Sequence, residues 1–147
     1  MPATRTSPSS PSSFEPIRAA LVAPWVRWLC LLAVCAAYIQ GGLDKAFDFP
    51  SAIAEMQHFG VTPAAPFAFA TICLELVASL MILIGFYRWL AASALAVFTL
   101  MTLFIASNFW TMSGAERAMT ENVFFEHIGL IGAFLLIAWH DLRRQTS

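Results

Sequence analysis

The stretch AAPFAFATICLELVASLMILIGF, residues Ala64 to Phe86, decides the fold, because only Glu75 carries a charge in it. A helix needs about 20 predominantly apolar residues to cross the hydrocarbon of a bilayer. Ala64 to Phe86 therefore reads as a membrane span, closed by Gly85 and followed at interfacial depth by Tyr87, Arg88 and Trp89. Working outward, the same composition recurs three times. A span is predicted upstream over Leu21 to Leu43, opened by Pro24 with Trp25 and Trp28 beside it. Two more are predicted downstream, over Leu90 to Phe109 and over Asn122 to Trp139. The connections are short. Asp44 to Pro63 is polar, with Ser51 to His58 expected as a surface helix, then come a tight turn after Phe86 and a polar loop from Trp110 to Glu121. The expected architecture is all-α, a four-transmembrane-helix bundle without an internal repeat.

Composition supports this reading and excludes others. The 147 residues are 59% hydrophobic and 12% charged, with a mean hydropathy of +0.72. Four spans use about 80 residues, which leaves no room for a separate soluble catalytic domain. Eight Lys and Arg against nine Asp and Glu give a formal charge of −1 and no basic arm, which argues against nucleic-acid binding. Cys30, Cys35 and Cys73 lie in apolar stretches, form no C-x-x-C pair and are expected as buried thiols, so a dithiol relay is not indicated.

The chain divides into a Ser/Pro-rich tail (1–18) expected to be disordered, a membrane domain (19–140) and a C-terminal tail (141–147). The first apolar segment has full span length and a long preceding segment, so it reads as a span, not a cleaved leader. Arg5, Arg18, Arg27, Arg88, Arg143 and Arg144 fall on the side of the termini and only Lys45 and Arg117 on the other. Basic residues concentrate on the cytoplasmic face, so both termini are expected there, in a multi-pass protein of the inner (plasma) membrane.

Polar residues inside spans mark candidate chemistry, since a charge in hydrocarbon costs about 2.5 kcal/mol or more. Glu75 sits near the middle of its span among Thr71, Ala78 and Ser79, a small and polar stripe suited to the bundle interior. Either a proton or a nearby cation must offset its desolvation. It reads as a protonatable group in a ligand or proton site, or as a structural carboxyl bonded to a neighbouring helix. Lys45 follows a second small stripe, Ala33, Ala36, Ala37, Gln40, Gly41 and Asp44, and its stem can curl back toward Glu75; the alternative is an interfacial anchor. Arg27 is expected to snorkel to the opposite surface. On the last span, Asn122, Glu126, Gly129 and Ala133 share a face expected to point inward, with His127 rotated by about 100°.

Glu75 and Lys45 are thus the expected catalytic pair. Gln40, Asn108, Glu126 and His127 are the expected ligand-binding set, around an outward-opening pocket with Glu75 at its floor and Met101, Phe104 and Ile105 as its apolar wall. Helix capping and interface hydration would also place Asn, Gln and Glu at span ends. His58, His127 and His140 lie at different depths, and adjacent Glu126 and His127 diverge on a helix, so no metal or haem site is expected.

Three motifs in order carry a family resemblance. They are Gly41-Gly42-Leu43-Asp44-Lys45 closing the first span, Glu75 with small residues and Gly85 in the second, and Phe124-Phe125-Glu126-His127-Ile128-Gly129-Leu130-Ile131-Gly132 in the fourth. From about Arg27 to Ala138 the chain resembles the DoxX family of small bacterial membrane proteins. Lys45 and Glu75 match that family's pattern, whereas Glu126-His127 stands where the family often has Lys-Asn. The resemblance implies a four-helix membrane bundle whose relatives are tied to thiosulfate:quinone oxidoreduction or to membrane oxidoreductase complexes, with broader relatives acting as chaperones or cargo receptors.

Two functions fit these residues. In the first, the protein is linked to a membrane oxidoreductase system, a quinone-like ligand enters the pocket, and Glu75 handles a proton with help from Lys45. No side-chain set here carries electrons, so a cofactor or a partner must do so. In the second, the protein is a non-enzymatic assembly or docking subunit, its small-residue faces binding another membrane protein or a second copy of itself. A solute carrier is disfavoured by the lack of an inverted repeat or broken-helix pair.

Overall fold

The structure, a computed structural model, describes residues 14–146. A short helix α1 (Glu15–Leu21) precedes the first long helix, α2 (Pro24–Phe47). Helix α3 (Phe49–His58) follows at once, then α4 (Ala64–Ile84), α5 (Arg88–Ala106), a 3-10 turn (Phe109–Thr111) and α6 (Gly114–Gln145). The helices α2, α4, α5 and α6 are long and apolar enough to cross a membrane. Large apolar side chains such as Val77, Leu80, Val97, Phe104 and Leu135 are exposed on their outer faces, as lipid contact requires.

Local chemistry sets the boundaries. Pro24 opens α2 at a position whose N–H has no helical partner in any case. Asp48 ends α2 and starts α3, its side chain accepting the Ser51 N–H at 3.1 Å. Gly85, at φ 85°, terminates α4 in the left-handed conformation that a side chain resists. Tyr87 is also left-handed, at φ 42°, so α5 starts almost immediately. Arg88 steadies the turn by donating from Nε to the Ile82 carbonyl at 2.7 Å, and Asp141 of α6 accepts the Trp89 N–H at 3.1 Å.

Several boundaries differ from expectation, for physical reasons. The loop predicted from Trp110 to Glu121 is helical from Gly114 onward, because exposed polar residues extend a helix outside the bilayer as readily as they form a loop. At 32 residues, α6 is about 48 Å long, well beyond a hydrocarbon core of about 30 Å. Asp141 to Gln145, assigned to a tail, continue α6, since Asp141 is anchored to α5. Of the N-terminal tail, residues 1–13 lie outside the described residues, while Glu15 to Arg18 belong to the fully unburied α1. Cys35 is buried, but Cys30, expected to be so, is exposed, consistent with the two lying about 140° apart around α2.

Packing follows chain order. Helix α2 lies on α4, α4 on α5 and α5 most extensively on α6, while α2 and α6 touch sparsely. The core joins Leu31, Cys35 and Tyr38 of α2 to Ala78 and Ile82 of α4, Ala91, Ala92, Leu95 and Ala96 of α5, and Phe134 and Ala138 of α6. Hydrophobic expulsion from lipid cannot drive such association, so close approach over small residues must, and the alanines supply it. The Tyr38 hydroxyl is hydrogen-bonded to Thr99, whose own hydroxyl donates to the Leu95 carbonyl at 2.6 Å. The sparse seam between α2 and α6 leaves a cavity at each end of the bundle.

Candidate functional site

The larger cavity, about 520 Å³, lies toward the α2–α3 and α5–α6 connections and is lined by all five of α2, α3, α4, α5 and α6. Its charged centre is a pair 30 residues apart in sequence. Lys45 Nζ lies 3.3 Å from each carboxylate oxygen of Glu75. The Glu75 side chain is 7% exposed and that of Lys45 18%, so the pair is largely withdrawn from solvent.

Gly42 allows this geometry, and Gly41 beside it reports where the lysine lies. A Cβ on Gly42 would come within 2.8 Å of Leu76 and 3.3 Å of the Glu75 Cβ, so α2 and α4 cross at a distance that only glycine permits. A Cβ on Gly41 would meet Lys45 Nζ at 3.4 Å, which shows the lysine folded back one turn along its own helix. Of the two readings of Lys45 from sequence, a stem curled toward Glu75 or an interfacial anchor, the conformation observed is the curled stem. A charge pair removed from water remains favourable only while both partners are present and well placed.

Around this pair the cavity is mixed. Glu55 of α3 lines it and is electrostatically coupled to Glu75. Thr71, one turn before Glu75, and Thr102 of α5 add hydroxyls, while Phe67, Phe98 and Met101 supply apolar and aromatic surface. His127 is half-buried on the α6 wall, its Nδ1–H donating to the Val123 carbonyl at 2.7 Å. With that tautomer, Nε2 remains an acceptor. Among the described residues no three His, Cys, Asp or Glu side chains converge as a metal site requires.

Four of the six residues singled out from sequence come together here, namely Lys45, Glu75, Glu126 and His127. Glu126 is exposed and His127 half-buried, so the inward face of α6 runs through His127, Phe134 and Ala138. The expected inward stripe of Asn122, Glu126, Gly129 and Ala133 is displaced, since Glu126 is exposed and Gly129 has nothing within 4 Å of a hypothetical Cβ. Gln40 is not part of the cavity: it is exposed and donates to Asp44 at 3.2 Å. Asn108 is exposed in the turn after α5, which ends at Ala106, and it does not line the cavity either. Met101 and Ile105 belong to the wall, while Phe104 turns outward at 62% exposure.

Sequence reasoning missed the contribution of α3. Glu55, Met56 and Phe59 reach the cavity from what was read as a surface helix. The spacing of Met56 and Phe59, three residues apart and on one helical face with Ala52, was the available signal. The Tyr38–Thr99 bond was not foreseen, because a tyrosine and a threonine on separate spans have no pattern that pairs them.

The DoxX family model matches residues 29–108, which takes in α2 from Leu29 through α5 and both members of the ion pair, and stops before α6. Inner membrane protein YphA of Escherichia coli (strain K12) is 26% identical over 115 residues, 78% of this chain and 82% of that protein. No solved structure matches the chain. With the family model covering more than half its length and four membrane-length helices in the fold, the chain belongs to the DoxX family and is a multi-pass integral membrane protein.

Proposed function

We propose that the larger cavity binds a quinone-like ring and that the protein serves a membrane oxidoreductase system in the inner membrane, its basic end facing the cytoplasm. The observation that carries this reading is the Lys45–Glu75 pair at the base of a mixed cavity whose walls include aromatic and thioether side chains. A volume of about 520 Å³ is of the size that small-molecule sites occupy. Phe67, Phe98 and Met101 suit the faces and edges of a flat ring. Lys45 offers N–H donors to a ring carbonyl, and Glu75 takes or returns the hydroxyl proton that accompanies reduction or oxidation of the ring. The electrons pass to or from a redox centre on a partner protein.

The test is mass spectrometry of lipid-soluble molecules extracted from the gently purified protein, beside the Glu75→Gln variant. Near-stoichiometric quinone in the parent and depletion in the folded variant supports the reading. Intact parent protein without quinone overturns it.

A second reading, an assembly or docking subunit, is favoured by one specific feature. Gly129 and Gly132 on α6 form a small-residue face with open space before it, suited to another transmembrane helix or a second copy of this chain. Under that reading Gly129→Leu abolishes co-purification of a membrane partner or shifts the oligomeric state, and quinone content is irrelevant.

A further inference from the structure

The smaller cavity, about 380 Å³, lies at the other end of the α2–α6 seam and has a different character. Arg27 of α2, Arg88 at the start of α5 and Arg144 near the end of α6 all line it, with His140 beside them. Asp141 is the one carboxylate among its lining residues. That carboxylate is already engaged: Oδ2 accepts from the Trp89 N–H at 3.1 Å and from Gln145 at 3.2 Å, and Oδ1 lies 3.9 Å from Arg88. Arg27 and Arg144 form no ion pair among the described residues, yet both act electrostatically on Arg88. Three guanidinium groups thus converge against a single committed carboxylate. Such a cluster repels itself unless an anion joins it.

The rest of the wall identifies the anion's source. Leu31, Val34, Leu136 and Ile137 run from the arginines into the bundle along the seam, and Leu136 and Cys30 are exposed to the surroundings of the helices. A soluble anion has no use for that apolar strip. A phospholipid does, since its phosphate meets the arginines at headgroup depth while an acyl chain follows Val34 and Leu136 toward the membrane interior. Basic pockets between transmembrane helices near one membrane surface bind anionic headgroups on these grounds, and arginine matches phosphate oxygens in bidentate geometry.

We infer that the cavity bounded by Arg27, Arg88, Arg144 and the α2–α6 seam is a binding site for one anionic phospholipid. It is separate from the Lys45–Glu75 cavity and does not depend on that site's ligand.

The test is native mass spectrometry of the full chain, delipidated in detergent and titrated with phosphatidylglycerol, phosphatidylcholine or inorganic phosphate. The parent is expected to retain one phosphatidylglycerol at least tenfold more tightly than phosphatidylcholine, with millimolar phosphate failing to displace it. An Arg27→Gln/Arg144→Gln variant is expected to lose that preference. Arg88 is left intact because it also holds the α4–α5 turn. Equal retention of the two lipids by the parent overturns the inference without reference to any variant. Displacement by phosphate makes the site one for a soluble anion and overturns the lipid assignment, as does an unchanged preference in the folded double variant.

Discussion

Tyr38 of α2 and Phe134 of α6 meet edge to face, with ring centroids 5.2 Å apart and planes at 70°. Toward one end of the seam from this contact, Ala37 and Leu130 line the larger cavity; toward the other, Val34 and Ile137 line the smaller one. The aromatic pair is therefore the partition between two chemically different sites, and the Tyr38–Thr99 bond ties it to α5. Where α2 and α6 otherwise touch little, one fully buried phenylalanine closes the bundle.

That placement makes Phe134→Ala costly. Truncating a buried phenylalanine in a soluble core destabilises by about 3–5 kcal/mol, part of it the transfer of apolar atoms from water. In a bilayer that part shrinks, because the unpacked helix faces lipid, and the lost contacts and the void remain. Phe134→Ala is expected to destabilise by about 2–3 kcal/mol, read from the midpoint of SDS-induced unfolding in mixed micelles. Leu135→Ala, at a position 53% exposed, is the control and should shift the midpoint little.

The ion pair should respond asymmetrically to loss of either partner. Removing one member of a buried pair costs about 3–5 kcal/mol when the other stays charged and trapped. Glu75 is short and held in the middle of α4, so in Lys45→Met it must take up a proton or remain an uncompensated charge. Lys45 lies in the last turn of α2, and in Glu75→Gln its stem can extend to the interface. Lys45→Met is therefore expected to destabilise more than Glu75→Gln, and the double variant less than the sum of the two. Additive effects in the double-mutant cycle would show that the pair contributes nothing as a pair.

The two glycines of α2 should also differ. Gly42→Ala places a methyl 2.8 Å from Leu76, and overpacking of this kind costs about 1–3 kcal/mol. Gly41→Ala makes only ordinary contact with the mobile tip of Lys45, and alanine favours a helix, so its stability should hold. The same unfolding assay separates them, and equal destabilisation would contradict the close α2–α4 crossing at Gly42.

These residues also show what was legible in the sequence. The four spans were readable because hydropathy reports the solvent, and the bilayer imposes a minimum length on any helix that crosses it. Glu75 was readable as a lone charge within such a span, and Lys45 because its stem is long enough to turn back. The α6 face was misjudged because small residues permit a close helix contact without specifying on which side it occurs. Gly129 and Gly132 face open space, while the α6 side meeting Tyr38 is chosen by Phe134. Gln40 and Asn108 were grouped by depth, but depth does not fix azimuth: Gln40 turns to Asp44, and Asn108 falls beyond the end of α5. Helix α3 presents one helical face through Ala52, Met56 and Phe59, but its place as a cavity wall depends on where the chain folds back after Asp48, which that spacing alone does not encode.

The most direct test of the proposed ligand site is photoaffinity labelling of the reconstituted protein with an azido-quinone, the adducts being mapped by peptide mass spectrometry. Labelling concentrated on Met56, Phe98 and Met101, and suppressed by excess unlabelled quinone, is the expected result. Adducts confined to outward-facing residues such as Leu80 and Leu135, or insensitive to competition, would contradict it.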